Sequence, residues 1–151
     1  MATIQLGLTS PGLLGPVIGL NLWTFVMEGW MYATRLPAME EAKLTPTPEL
    51  TPNDMATKLP ASVRWKAENY NHLHEQPTTF YAVALSLALL GVDDKWTVAA
   101  AWSYTGLRVL HSLVHATSNS IMTRFKLFGL SSTVLFGLAA RTAYLLVKHR
   151  K

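Results

Sequence analysis

The sequence predicts an all-α protein, an integral membrane bundle of four helices. Three observations predict it. Half of the 151 residues are hydrophobic and only 15% are charged, which gives a mean hydropathy of +0.20, high for a soluble domain of this length. Four segments are each long enough to supply the roughly 20 helical residues that a hydrocarbon core of about 30 Å requires. Lys and Arg lie mainly at segment ends, so the formal charge of +4 and the pI near 9.5 read as topology signals and not as a nucleic-acid surface.

The first helix is expected at about residues 13–34, after the Pro11-Gly12 breaker. The earliest Lys or Arg is Arg35, so the basic start of a secretory signal is missing and this segment is expected to stay as a membrane helix. Its one charge, Glu28, needs a partner inside the bilayer, and Arg108 is the expected one. Residues 36–60, with Pro37, Pro46, Pro48, Pro52 and Pro60, read as an extended, water-exposed loop. The second helix, about 61–92, has a polar first half and an uncharged run from Gln76 to Val92, with a kink or local unwinding expected at Pro77.

Gly91 to Lys95 form a tight turn in which Asp93 or Asp94 caps the third helix, about 95–119. The fourth helix, about 127–147, precedes the basic tail Lys148, His149, Arg150 and Lys151. With four crossings, Arg35, Lys43, Lys58, Arg64, Lys66, Arg124 and Lys126 fall on the side of the Pro-rich loop, against Lys95 and the tail on the other. The positive-inside rule then puts that loop in the cytoplasm and both termini outside.

The third helix carries Arg108, His111, His115 and Asn119 at spacings of three, four and four, so they are expected to share one face. A lipid-facing Arg at that depth costs on the order of 2.5–3.5 kcal/mol even on a lenient insertion scale, so the stripe must face a polar interior. On the second helix Arg64, Glu68, Asn71 and Glu75 share another face. Two such stripes suit an anionic ligand carrying carboxylates and an amine: Arg offers forked donors, Glu75 an ammonium acceptor, Asn71 both. The bland alternative is that these groups satisfy one another and only fix helix register. His111 and His115 also have the spacing of a metal-ligand pair, but Arg108 one turn away repels a cation, so no metal is expected. His72 or His74 with a third-helix His as haem ligands ranks lower still. Cys is absent, so any sulfur chemistry must use a ligand's sulfur.

The run Asn71, Glu75, Pro77, Phe80, Tyr81, followed by Gly106-Leu107-Arg108-Val109-Leu110-His111 with His115, Asn119 and Arg124, resembles the MAPEG family, the membrane-associated proteins in eicosanoid and glutathione metabolism, and most of all its bacterial branch. The resemblance implies one domain over 1–151, a homotrimer of four-helix subunits in a bacterial inner membrane, and glutathione as co-substrate between subunits near the cytoplasmic surface. It implies ligand contacts from Arg64, Asn71, Glu75, Arg108, His111 and His115, and a catalytic Arg124 that favours the thiolate of a thiol whose ordinary pKa is about 8.5. The partners implied are the chain itself, lipids and lipophilic electrophiles. His115 stands where Tyr is common and Phe125 where some catalytic members carry Ser. Those two departures support the alternative, a lipid-binding or scaffolding membrane protein of the same fold.

Overall fold

The structure, a computed structural model, describes residues 11–149; residues 1–10 and 150–151, the outermost parts of the termini expected outside, lie beyond what is described. Among the described residues there are helices and no strand. A single 3-10 turn, Pro11–Leu13, leads into α1 (Leu14–Glu41), which runs through Pro37 past the end expected at Thr34. It stops at Lys43, whose φ of 53° turns the chain while the Leu44 amide donates to the Met39 carbonyl at 2.9 Å.

The Pro-rich stretch is folded and not simply extended. Leu44 and Leu59 bury themselves with Met39, and Leu50, Met55 and Val63 pack around them. Within it α2 (Pro52–Lys58) is started by a capping box: the Thr51 hydroxyl accepts from the Asp54 amide at 3.2 Å and Asp54 accepts from the Thr51 amide at 3.1 Å. The sequence carries this signature as Thr-Pro-Asn-Asp, and the density of prolines hides it.

The second predicted helix is two helices, α3 (Ala61–His72) and α4 (Gln76–Leu89), separated at residues 73–75 just before Pro77. Pro77 has no amide to continue the ladder, and the last carbonyls of α3, from Asn69 to His72, are met by the turn amides of Leu73, His74 and Glu75. Asp94 caps α5 (Lys95–Thr117) through the Thr97 amide at 3.1 Å. The last helix, α6 (Ile121–His149), begins before the expected Leu127, so Arg124 lies on a helix and not in a turn.

One end of the bundle is packed from apolar side chains. Leu13, Val17 and Leu20 of the first helical stretch meet Phe80, Ala84 and Leu87 of α4, Ala101 and Tyr104 of α5, and Leu135 and Leu138 of α6. Phe80 and Tyr104 stack at 4.3 Å. A Cβ on Gly15 would stand 3.0 Å from the Trp102 ring, so Gly lets α1 and α5 approach this closely without displacing that ring. Ile18, Leu22, Phe25 and Val26 on α1, and Met122, Leu130, Phe136 and Val147 on α6, are exposed on the outside. Among the described residues Ile121–Lys148 is the one helical stretch long and apolar enough to cross a membrane by composition. The 28 residues of α1 would span about 42 Å at 1.5 Å per residue.

Candidate functional site

At the other end, α5 turns Arg108, His111, Ser112 and His115 inward, and all four are buried. Arg108 is fully buried. Its Nη2 donates at 3.3 Å to the His72 carbonyl, which also accepts a long turn bond from the Glu75 amide at 3.4 Å, and its guanidinium sits 5.5 Å from the centre of the Phe128 ring. Nε and Nη1 have no partner among the described residues. The ion pair expected with Glu28 does not form: Glu28 stays half-buried on α1, without an ion pair among the described residues, while Met27 beside it faces the core.

His72, in the last turn of α3, holds the centre of an aromatic cluster. Its ring stacks on Phe128 at 5.6 Å and lies 5.1 Å from His111 and 6.1 Å from His115. Its Nδ1 is hydrogen-bonded to Glu75. The Glu75 carboxylate also acts electrostatically on Arg108 and His115. Glu68 stands 3.9 Å from His115 Nε2 and within Coulombic range of Arg124, while His115 Nδ1 is buried without a partner.

Arg124 is placed by the turn between α5 and α6. Asn119 does not continue the stripe of Arg108, His111 and His115, because α5 ends at Thr117 and Asn119 adopts φ 49°, which Asn tolerates better than most residues; its side chain accepts from Arg124 Nη1. Arg124 Nε is buried and unpartnered. A groove of about 280 Å³ opens here, lined by His72, His111, Ile121, Arg124, Phe125 and Phe128.

Arg64 and Asn71 face elsewhere. With Arg35 and Glu68 they line a separate cavity of about 220 Å³, roofed by Pro52, Met55 and Ala56 of α2. Arg64 Nε is buried there without a partner. Within one chain, then, Glu75, Arg108, His111, His115 and Arg124 gather on one side, Arg64 and Asn71 on another, and Glu68 reaches both. Among the described residues no group of three or more His, Asp or Glu side chains is arranged to hold a metal ion.

Several residues of this end are missed in the sequence. Ser112, fully buried, accepts from Trp23 Nε1 at 3.0 Å and from Asn69, and so joins α1, α3 and α5 at one hydroxyl. Its position four residues after Arg108 was the available signal, masked because a Ser in a membrane helix ordinarily marks close packing. Asn69 is buried while Asn71 is exposed, since two residues along a helix turn a side chain by about 200°. Residues 13–144 match the model of the MAPEG family. No curated protein and no solved structure matches the chain.

Proposed function

The chain belongs to the MAPEG family, and from that membership we propose that it is a membrane-embedded, glutathione-dependent transferase or peroxidase acting on lipophilic electrophiles. At the level of the family, membership supports a membrane protein of glutathione-related transferase or peroxidase type. The proposed assembly is a homotrimer of multi-pass subunits in a bacterial inner membrane, termini outward, with glutathione at subunit boundaries. Arg124 stabilises the thiolate. Glu75, Arg108, His111 and His115 of one subunit, with Arg64 and Asn71, hold the peptide, and a trimer supplies the means of bringing the two sets to one ligand.

The observation that carries this reading is the unsatisfied cation chemistry at one end of the bundle. Arg64, Arg108 and Arg124 all hold buried guanidinium nitrogens with no acceptor, and none forms an ion pair within 4.0 Å among the described residues. Leaving such donors unpaired costs about 1–3 kcal/mol each, which an anionic ligand with several carboxylates offsets. The groove beside Arg124 has aromatic walls, Phe125 and Phe128, suited to an apolar co-substrate arriving from the lipid.

Turnover of an α,β-unsaturated ketone with glutathione, measured on purified protein in detergent, tests the proposal. Activity above the uncatalysed rate is expected, with a loss of about 10²–10³-fold in Arg124→Ala, the scale seen when one charge-stabilising donor is removed. Phe125, 69% exposed where a hydroxyl would offer a hydrogen bond, favours a second reading as a lipid-binding scaffold. Glutathione binding without turnover of any electrophile supports that one.

A further inference from the structure

Resting on the thiol-transferase reading, we propose that His72, held by Glu75, takes the proton of the bound thiol beside Arg124 and returns it after sulfur has attacked. The need for such a group follows from the chemistry of Arg. A guanidinium stabilises a thiolate but remains protonated and offers five donors and no acceptor, so the thiol proton must go elsewhere. Near neutral pH an imidazole is the side chain suited to take it.

Of the imidazoles at this end, His72 has the geometry of a proton acceptor. Its Nδ1 is 2.5 Å from Glu75 Oε2. An ionised carboxylate only accepts, so Nδ1 carries the hydrogen and Nε2 keeps a lone pair. The ring is fixed against Phe128 and lines the groove together with Arg124. The charged and titratable groups around it are Glu75 on its own segment, Arg108, His111 and His115 on α5, and Arg124 on α6. Glu75 is the acid that offsets those cations once His72 is protonated. The other carboxylate oxygen of Glu75 stays open to a ligand ammonium, so the two roles are compatible.

His111 also lines the groove, but Arg108 and Arg124 act on it and, among the described residues, no acid hydrogen-bonds to it. His115 has Glu68 only at 3.9 Å and does not line the groove. The S–H proton moves to His72 Nε2, the sulfur lone pair forms a C–S bond with the β-carbon of an unsaturated carbonyl, and the displaced π electrons reach its oxygen as an enolate. The imidazolium then protonates that enolate and His72 is neutral again.

The test is the pH profile of kcat/KM for glutathione and an α,β-unsaturated ketone, with the full chain in detergent. A limb in the imidazole range is expected in the parent. His72→Gln is expected to lose that limb and about 10²–10⁴-fold in rate at neutral pH, with the glutathione KM changed by less than about threefold. Added imidazole is expected to restore part of the rate of His72→Ala, which loss of fold would not allow. Glu75→Gln should fall between parent and His72→Gln in rate at saturating glutathione. A His72→Gln protein with the parent rate and profile, or a His72→Ala protein that stays folded and unresponsive to imidazole, overturns the proton role while leaving the thiol reading intact. A parent with neither bound thiolate nor turnover overturns both.

Discussion

At the end of the bundle that holds Leu13, Leu87 and Ala101, no buried side-chain nitrogen or oxygen among the described residues is left without a partner, whereas the end that holds Arg108 leaves six. At the first end the polar groups pair off: Thr105 donates to the Pro16 carbonyl at 3.0 Å and Arg141 to Asp94 at 2.6 Å. At the second, Arg64, Asn69, Arg108, His115 and Arg124 carry the orphaned atoms. The difference separates the part of the bundle whose buried polar groups are satisfied within one chain from the part where they are not. Apolar packing at one end holds the bundle together and tolerates a polar end whose desolvation is not compensated within one chain.

The sharpest way to break this comparison is Arg108→Met. If Arg108 serves a ligand and not the fold, an apolar side chain of similar length removes an unpaired buried cation, and stability in detergent should stay within about 1 kcal/mol of the parent. Glutathione binding should fall about 100-fold, as expected when a charged hydrogen-bonding partner is removed. Thermal melts and calorimetry read the two effects. A large loss of stability with unchanged binding would make Arg108 a clamp on the broken end of α3 and nothing more.

Ser112→Ala sharpens the comparison at intermediate size. It leaves the Trp23 and Asn69 donors unpaired in a buried site, a cost of about 1–3 kcal/mol by chemical or thermal unfolding. A change within about 0.3 kcal/mol would show that the junction adds nothing to helix register.

The smallest effect belongs to the satisfied end. Asp94→Ala removes the cap of α5 and the link to Arg141, for about 1 kcal/mol, with glutathione affinity unchanged. The hydrogen bond from Thr97, helped by the Arg141 charge, holds the Asp94 carboxyl below the usual carboxylate range. A depressed folded value means that this contribution is complete above the unfolded pKa, about 4, and is lost as pH falls through the folded one. Asp94→Asn should therefore flatten the acid limb of the melting temperature against pH. An identical acid limb in the variant would assign that pH dependence to other carboxylates.

Much of this arrangement is legible in the chain, and the reasons differ from element to element. Arg108, His111 and His115 are readable as an inward stripe because hydrocarbon excludes an outward Arg. Pro77 announces the break between α3 and α4, and Asp94 its cap. Residues 36–60 are misread because prolines dominate the composition, while the isolated Leu44, Leu50, Met55 and Leu59 that fold the stretch show no period. Glu28 and Arg108 look complementary by charge alone, but the acceptor that reaches the guanidinium is the His72 carbonyl at the end of α3. His72 itself hides as one of two histidines at a membrane edge; only the fold brings its ring into line with Arg124, Phe128 and His111.

The central claim is that the unsatisfied end accepts an anionic thiol and holds it ionised. Ultraviolet titration of glutathione into the purified protein at neutral pH tests it most directly. Bound-thiolate absorbance is expected in the parent and is expected to vanish in Arg124→Ala. No such absorbance in the parent, or the same absorbance in both, would contradict the account.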